Sequence, residues 1–127
     1  MRVLLDTNRY IDLVAHDLAV AERIQRADQV FLSLISVGEL LAGFARGSKR
    51  VRNEERLRQL FDSQQVTLLL PDIETARLYA EISSQLRRQG RPIPTNDMWI
   101  AAQALQHGLT LDTRDGHFQH VPGLTLV

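Results

Sequence analysis

The feature that most constrains this chain is a recurring pair: a short, largely apolar run, then a stretch with helical periodicity. Residues 2–5 run straight into Asp6 and read as a buried strand. Segments 8–14 and 17–26 carry helical patterns. Phe31 to Ile35 is a second strand, after which Ser36 opens a helix that reaches about Ala45 and stops near Gly47. Residues 50–62 form a charged amphipathic helix with Val51, Leu57, Leu60 and Phe61 on its apolar side. Val66 to Leu70 is a third strand, closed by Pro71. Asp72 caps a helix that runs to about Gln89 and ends at Gly90. Thr95 or Asn96 caps a last helix ending at His107-Gly108. Leu109 to Leu111 is a fourth strand and Leu124 to Val127 a candidate fifth. Strands that are apolar throughout must be buried on both faces, so helices have to cover both sides of the sheet. The expected class is α/β: a three-layer α/β/α sandwich around a mostly parallel sheet of four to five strands.

With 127 residues, the chain suits a single domain spanning 1–127. No apolar run approaches the ~20 residues that span a bilayer, and the N-terminus lacks the apolar stretch of a signal peptide. There are no cysteines, which excludes disulfides and thiol catalysis and makes the cytoplasm the expected compartment. The net charge is zero. That argues against a uniformly basic nucleic-acid binder but leaves room for segregated charge. Basic residues crowd 46–58, where Glu54 and Glu55 offer intrahelical pairs, and recur at Arg87, Arg88 and Arg91.

Parallel sheets bind ligands beyond the carboxyl ends of their strands. Four acids fall there. Asp6 ends the first strand, Glu39 lies one turn into the helix after the second, Asp97 opens the last helix, and Asp115 follows the fourth strand. Two ionised carboxylates ~4 Å apart repel by roughly 4 kcal/mol at an effective dielectric of 20, so such a cluster calls for a cation. An all-oxygen donor set selects a hard ion, Mg²⁺ or Mn²⁺, over zinc. Structural explanations stand beside this one. Ser36 to Glu39 fits a capping box, Asp97 complements its helix dipole, and Asp115-Gly116 fits a turn. Asp6 has the least structural reason to be where it is.

The chain resembles PIN-domain ribonucleases, specifically the VapC-type toxins of type II toxin–antitoxin pairs. Four segments carry the resemblance, in order over nearly the whole chain: Leu4-Leu5-Asp6-Thr7-Asn8, Ile35-Ser36-Val37-Gly38-Glu39-Leu40, Thr95-Asn96-Asp97-Met98-Trp99-Ile100-Ala101-Ala102, and Leu111-Asp112-Thr113-Arg114-Asp115-Gly116-His117-Phe118. It implies a PIN-like sandwich, Mg²⁺- or Mn²⁺-dependent RNA cleavage, a homodimer and a small antitoxin that blocks the site. It casts Asp6, Glu39, Asp97 and Asp115 as the catalytic acids, with Asp6, Asp97 and Asp115 on the metal. Asn8, Ser36 and Thr113 are supporting residues through side-chain oxygens; helix capping and a strand end are the structural alternatives. Two positions depart from the pattern, Arg9 and Asp112, where apolar residues are common. Arg9 either pairs with a site acid, touches RNA phosphate or is an exposed helix arginine. Asp112 is either a fifth acid near the metal or a surface acid on an edge strand.

Further residues have narrower readings. Ile100, Ala101, Ala104 and Leu105 form the packing face of the last helix, which leaves Trp99, near Gln103 and Gln106, to be covered by another segment or a partner subunit. His117 and His120 read as loop residues, with His117 close enough in sequence to assist Asp115. Arg87 and Arg91 flank the loop into Asp97 and are candidate substrate contacts. The alternative to an enzyme is a non-catalytic RNA-binding or partner-binding PIN module. A phosphatase or receiver domain built on Asp6 fits poorly, because Asn8 stands where Asp-x-Asp needs its second acid and Lys49 is the only lysine.

Overall fold

The computed structural model describes all residues from Met1 to Val127. Four strands, β1 (Arg2–Leu5), β2 (Gln29–Ser33), β3 (Thr67–Leu69) and β4 (Thr110–Asp112), form one parallel sheet in the order β3-β2-β1-β4. Six helices connect and cover them: α1 (Thr7–Val14), α2 (Leu18–Arg26), α3 (Leu34–Arg46), α4 (Arg50–Asp62), α5 (Ile73–Arg88) and α6 (Thr95–His107). A 3₁₀ turn, Gly116–His120, follows β4. No helix is long and apolar enough to cross a membrane.

Side chains alternate across the sheet, and each face has its own core. Val3, Leu5, Val30 and Leu32 pack with Tyr10, Leu40, Leu57 and Val66 on the side of α1, α3 and α4. Leu4 and Leu111 pack with Ile82, Leu86, Ile100 and Phe118 on the side of α5 and α6. The three layers expected from the sequence are therefore present. Strand order also fixes the site. The chain winds outward from β1 through β2 to β3 and then returns to the other side of β1 as β4. The carboxyl ends of β1 and β4 thus flank the point where the winding reverses, which is where open α/β sheets leave a crevice.

Helix α6 is buried on more of its surface than one packing face would require. Ile100, Ala101, Ala102, Gln103 and Ala104 are all inaccessible, and the small alanines let the helix lie close to its neighbours. Gln103 is not on an outward side: its Oε1 accepts from Ser33 Oγ, and its Nε2 donates to the Leu69 carbonyl at 3.3 Å. Trp99 is covered by another segment of the same chain. Its ring stacks on Tyr79 of α5, with centroids 4.4 Å apart and planes 20° from parallel.

Several boundaries shift from the sequence reading. Strand β2 ends at Ser33, not Ile35, and Ser33 rather than Ser36 caps α3, accepting from the Ile35 amide at 3.0 Å. Ser36 is then inside the first turn and buried, so the capping box with Glu39 does not exist. Helix α6 starts after Pro94, with neither Thr95 nor Asn96 acting as its cap. The candidate fifth strand is a single parallel bridge, Leu111 to Leu126, extended by hydrogen bonds between Val127 and both Leu111 and Thr113.

Candidate active site

Asp6 is the first residue beyond β1 and the N-cap of α1. Its Oδ1 accepts from the Thr7 amide at 2.8 Å, and its Oδ2 accepts from Thr113 Oγ1 at 2.8 Å. Its own amide donates to the carbonyl of Asp112 at 2.9 Å, which joins the ends of β1 and β4. Thr113 Oγ1 also accepts from the Asp115 amide at 2.9 Å, so one hydroxyl ties Asp6 to the segment carrying Asp115. Asp115 in turn caps the 3₁₀ turn, accepting from the His117 amide at 3.0 Å. Asp97 stands in the first turn of α6.

Glu39, freed of a capping role, reaches back to α1. Thr7 Oγ1 donates to Glu39 Oε1 at 2.7 Å and shares a hydrogen bond with Ser36 Oγ at 2.9 Å. Thr7 therefore holds Glu39 through its hydroxyl and Asp6 through its amide. Neither hydrophobic pattern nor charge singles out Thr7 in the sequence; a hydroxyl next to a strand-ending acid is the one signal there. Of the three supporting residues named there, Ser36 and Thr113 hydrogen-bond within the site, whereas Asn8, inside α1, makes no side-chain hydrogen bond.

Two of the four acids are raised, by burial first and then by the charges of the others. Burial comes first in pushing Asp97 up to about 6, followed by the charges of Asp6 and Asp115; contact with His117 opposes, and Glu39 adds to the rise. Asp6 is also raised, by burial above all. Hydrogen bonds from Thr113 and Thr7 pull the other way, and the charges of Asp115 and Glu39 push further up. Mutual repulsion of this kind places the four carboxylates in one field. No arginine or lysine pairs with Asp6, Glu39 or Asp97; the nearby guanidiniums bind Asp12 and Asp112 instead. The one basic side chain in contact with these acids is His117, whose Nδ1 lies 3.1 Å from Asp115 Oδ1 and 3.6 Å from Asp97 Oδ2. Asp97, Asp115 and His117 present donor atoms that all lie within 4.8 Å of one another.

Arg9 and Asp112 turn out to answer each other. Asp112 is neither a metal-facing acid nor a surface one: it is fully buried, and its two oxygens take Arg9 Nε at 3.0 Å, Arg23 Nε at 2.8 Å and Arg23 Nη2 at 3.1 Å. Arg9 also donates to Asp12 at 3.1 Å, and Arg114 approaches Asp12 at 3.3 Å. The Arg9 guanidinium is thereby committed to two carboxylates and is not an open phosphate contact. Nothing in the sequence pairs Arg23 with a residue 89 positions away. Arg87 and Arg91 remain exposed, at the end of α5 and in the loop towards Asp97, with Arg91 Nη1 lying 3.0 Å from His120 Nδ1. The basic stretch of α4 makes intrahelical pairs, Arg50 with Glu54 and Arg58 with Glu55 and Asp62.

The PIN domain family profile matches residues 3–124. Ribonuclease VapC1 of Haemophilus influenzae (strain R2866) is 33% identical over 129 residues, covering 98% of this chain and 95% of its own length. VapC ribonuclease Y4jK of Sinorhizobium fredii is 32% identical over 133 residues, with the same coverage of 98% and 95%. The solved structure of VapBC-1 from nontypeable Haemophilus influenzae superposes with a TM-score of 0.90 at 30% identity, over 100% of this chain and 97% of that one.

Proposed function

From the premise that the chain belongs to the PIN-domain family, in its VapC branch, we propose that it is a divalent-metal-dependent endoribonuclease. We further propose that it acts in the cytoplasm as the toxin of a toxin–antitoxin pair, as a homodimer, and is blocked by a small cognate antitoxin. One observation carries the catalytic reading. Four carboxylates from four separate parts of the chain meet at the winding reversal, with no guanidinium or ammonium paired to Asp6, Glu39 or Asp97. Such a set is costly to keep ionised without an added cation. The relatives supply the rest: two that match over nearly the whole chain are named ribonucleases, and VapBC-5 of Mycobacterium tuberculosis, a structural neighbour, is described as a member of the VapBC family of toxin–antitoxin systems.

The donor set fits a hard divalent ion, Mg²⁺ or Mn²⁺. Asp6, Asp97 and Asp115 would hold it directly or through water. Such an ion supplies a water of lowered pKa and positive charge for the phosphoryl oxygens. The chain's own groups do the positioning. Thr113 orients Asp6 and fixes the start of the Asp115 segment, and Thr7 holds Glu39, which would complete the shell or orient the attacking water. Attack in line on phosphorus with departure of the 3′ oxygen leaves 5′-phosphate and 3′-hydroxyl ends.

End-group analysis of RNA cleaved by the purified protein, with Asp6→Asn beside it, tests this. Asp6→Asn is expected to lose at least about 100-fold in rate, in keeping with removal of one electrostatic element of an active site. A 2′,3′-cyclic phosphate product, or an Asp6→Asn variant as active as the parent, overturns the mechanism. RNA binding without cleavage in Mg²⁺ or Mn²⁺ would favour the non-catalytic module.

A further inference from the structure

His117 is the one basic side chain set among the site acids, and neither the acid pattern nor the family resemblance gives it a task. Its backbone amide donates to Asp115 Oδ1, which fixes the residue next to that carboxylate. Its side chain turns the same way, with Nδ1 at 3.1 Å from Asp115 Oδ1 and 3.6 Å from Asp97 Oδ2. These separations have a meaning in coordination geometry. Donors about 2.1 Å from one ion stand about 3.0 Å apart at a right angle and about 3.4 Å apart at a tetrahedral angle. His117 Nδ1 therefore stands at about the spacing of a neighbouring ligand from Asp115 and slightly beyond it from Asp97, and the donor atoms of all three residues lie within 4.8 Å of one another. The imidazole is about half exposed, at 53%, so binding an ion there requires no deep desolvation of the ring.

We propose that His117 Nδ1 is itself a donor to the active-site ion, and that this nitrogen makes the site favour Mn²⁺ and Co²⁺ over Mg²⁺. The inference rests on the metal-dependent reading above and adds a ligand to it. Carboxylates alone suit all three ions. Imidazole nitrogen adds little for Mg²⁺, which prefers oxygen donors and retains its waters, but binds first-row transition ions well, in increasing order from Mn²⁺ to Co²⁺. A competing role is that protonated His117 merely serves as a counter-ion for Asp97 and Asp115. The two roles predict different outcomes: a donor strengthens ion binding when the ring is neutral, whereas a resident cation competes with the ion only while protonated and leaves binding by the neutral form unaided.

Calorimetric titration of the metal-free protein with Mg²⁺, Mn²⁺ and Co²⁺ separates them. It is run at pH 8, above the ordinary histidine range, on the parent, His117→Ala and His117→Gln. Proton NMR of the Co²⁺-loaded proteins provides a direct readout of imidazole on the ion. The expected result for His117→Ala is at least about tenfold weaker Mn²⁺ and Co²⁺ binding, with Mg²⁺ changed by less than about threefold. The contact-shifted imidazole N–H of the Co²⁺ form should vanish in the same variant. Gln, which offers an oxygen, should not restore the preference for transition ions. Equal weakening of all three ions, no change, or tighter binding of any of them overturns the proposal while leaving the metal-dependent reading intact. Failure of the parent to bind any of the three ions overturns both.

Discussion

Two groups of acids stand side by side at the carboxyl ends of β1 and β4, one around the buried Asp112 and one around the buried Asp6, and they are balanced in opposite ways. Asp112, the last residue of β4, is wholly inaccessible yet receives three hydrogen bonds from two guanidiniums. Its carboxylate holds Arg23 above the ordinary arginine range. Asp6 follows the adjoining strand, and its amide binds the Asp112 carbonyl. No guanidinium pairs with Asp6, and it and Asp97 are pushed upward, by burial first and then by the neighbouring carboxylates. Burial does not distinguish the two groups, since the more deeply buried acid is the structural one. The distinction is whether the chain supplies the counter-charge. Asp112 is a finished ion cluster, while the acids around Asp6 are left for something outside the chain to balance.

The largest expected effect comes from breaking the finished cluster. Asp112→Ala strands Arg9 and Arg23 beside an apolar space and should cost about 3–5 kcal/mol in urea unfolding of the metal-free protein. A cost below about 1 kcal/mol would mean that the guanidiniums find solvent easily and that the two groups are not so different. Removing charge from the other group should do the reverse. Asp97 binds its proton more tightly folded than unfolded, because its pKa rises from 3.8 to about 6. The metal-free protein therefore loses stability through this group as pH rises from about 4 through about 6. The penalty at pH 7 is at most about 3 kcal/mol, and less after solvent screening. Asp97→Asn should thus stabilise the metal-free protein at pH 7 relative to the parent, with the advantage fading towards pH 4. An advantage independent of pH, or none, would show that neither burial nor its neighbours raise Asp97.

The smallest effect sharpens the link between the groups. Thr113→Val removes the hydroxyl shared by Asp6 and the Asp115 amide and should cost about 1–2 kcal/mol. It should also slow RNA cleavage by about tenfold or more, the order seen when a ligand's supporting hydrogen bond is lost. Thr113→Ser should recover both. Loss of stability without loss of rate would make Thr113 a purely structural tie.

Much of this was legible in the sequence because it depends on local pattern. Apolar runs ending at Asp6, and helix patterns beginning near Asp72 and Asp97, are enough for a covered parallel sheet and for acids at its carboxyl edge. What failed depended on choices that hydrophobicity does not make. Leu34 and Ile35 suit a strand as well as a helix, and two serines three apart could each cap. The Ser33 hydroxyl reaches Ile35 N, and the helix starts one turn earlier than the apolar run suggests. That shift moves Glu39 from a capping partner to a residue held by Thr7. From sequence alone Asp112 looks like a metal-facing or surface acid, because its partners lie on α1 and α2 and a distant arginine leaves no periodic trace.

The Arg9–Asp112–Arg23 cluster also has a consequence for the routes by which such a sequence can change. Removing Asp112 alone leaves Arg23 without its carboxylate and Arg9 with only Asp12, and removing either arginine alone leaves the buried Asp112 with fewer partners. Replacing all three together with residues of matched volume would leave nothing unpaired and can be neutral or better. Arg9 and Asp112 are therefore not two independent departures from the family pattern but one epistatic unit. Relatives intermediate between the charged and apolar versions should be rare, because single steps between them pass through a destabilised protein.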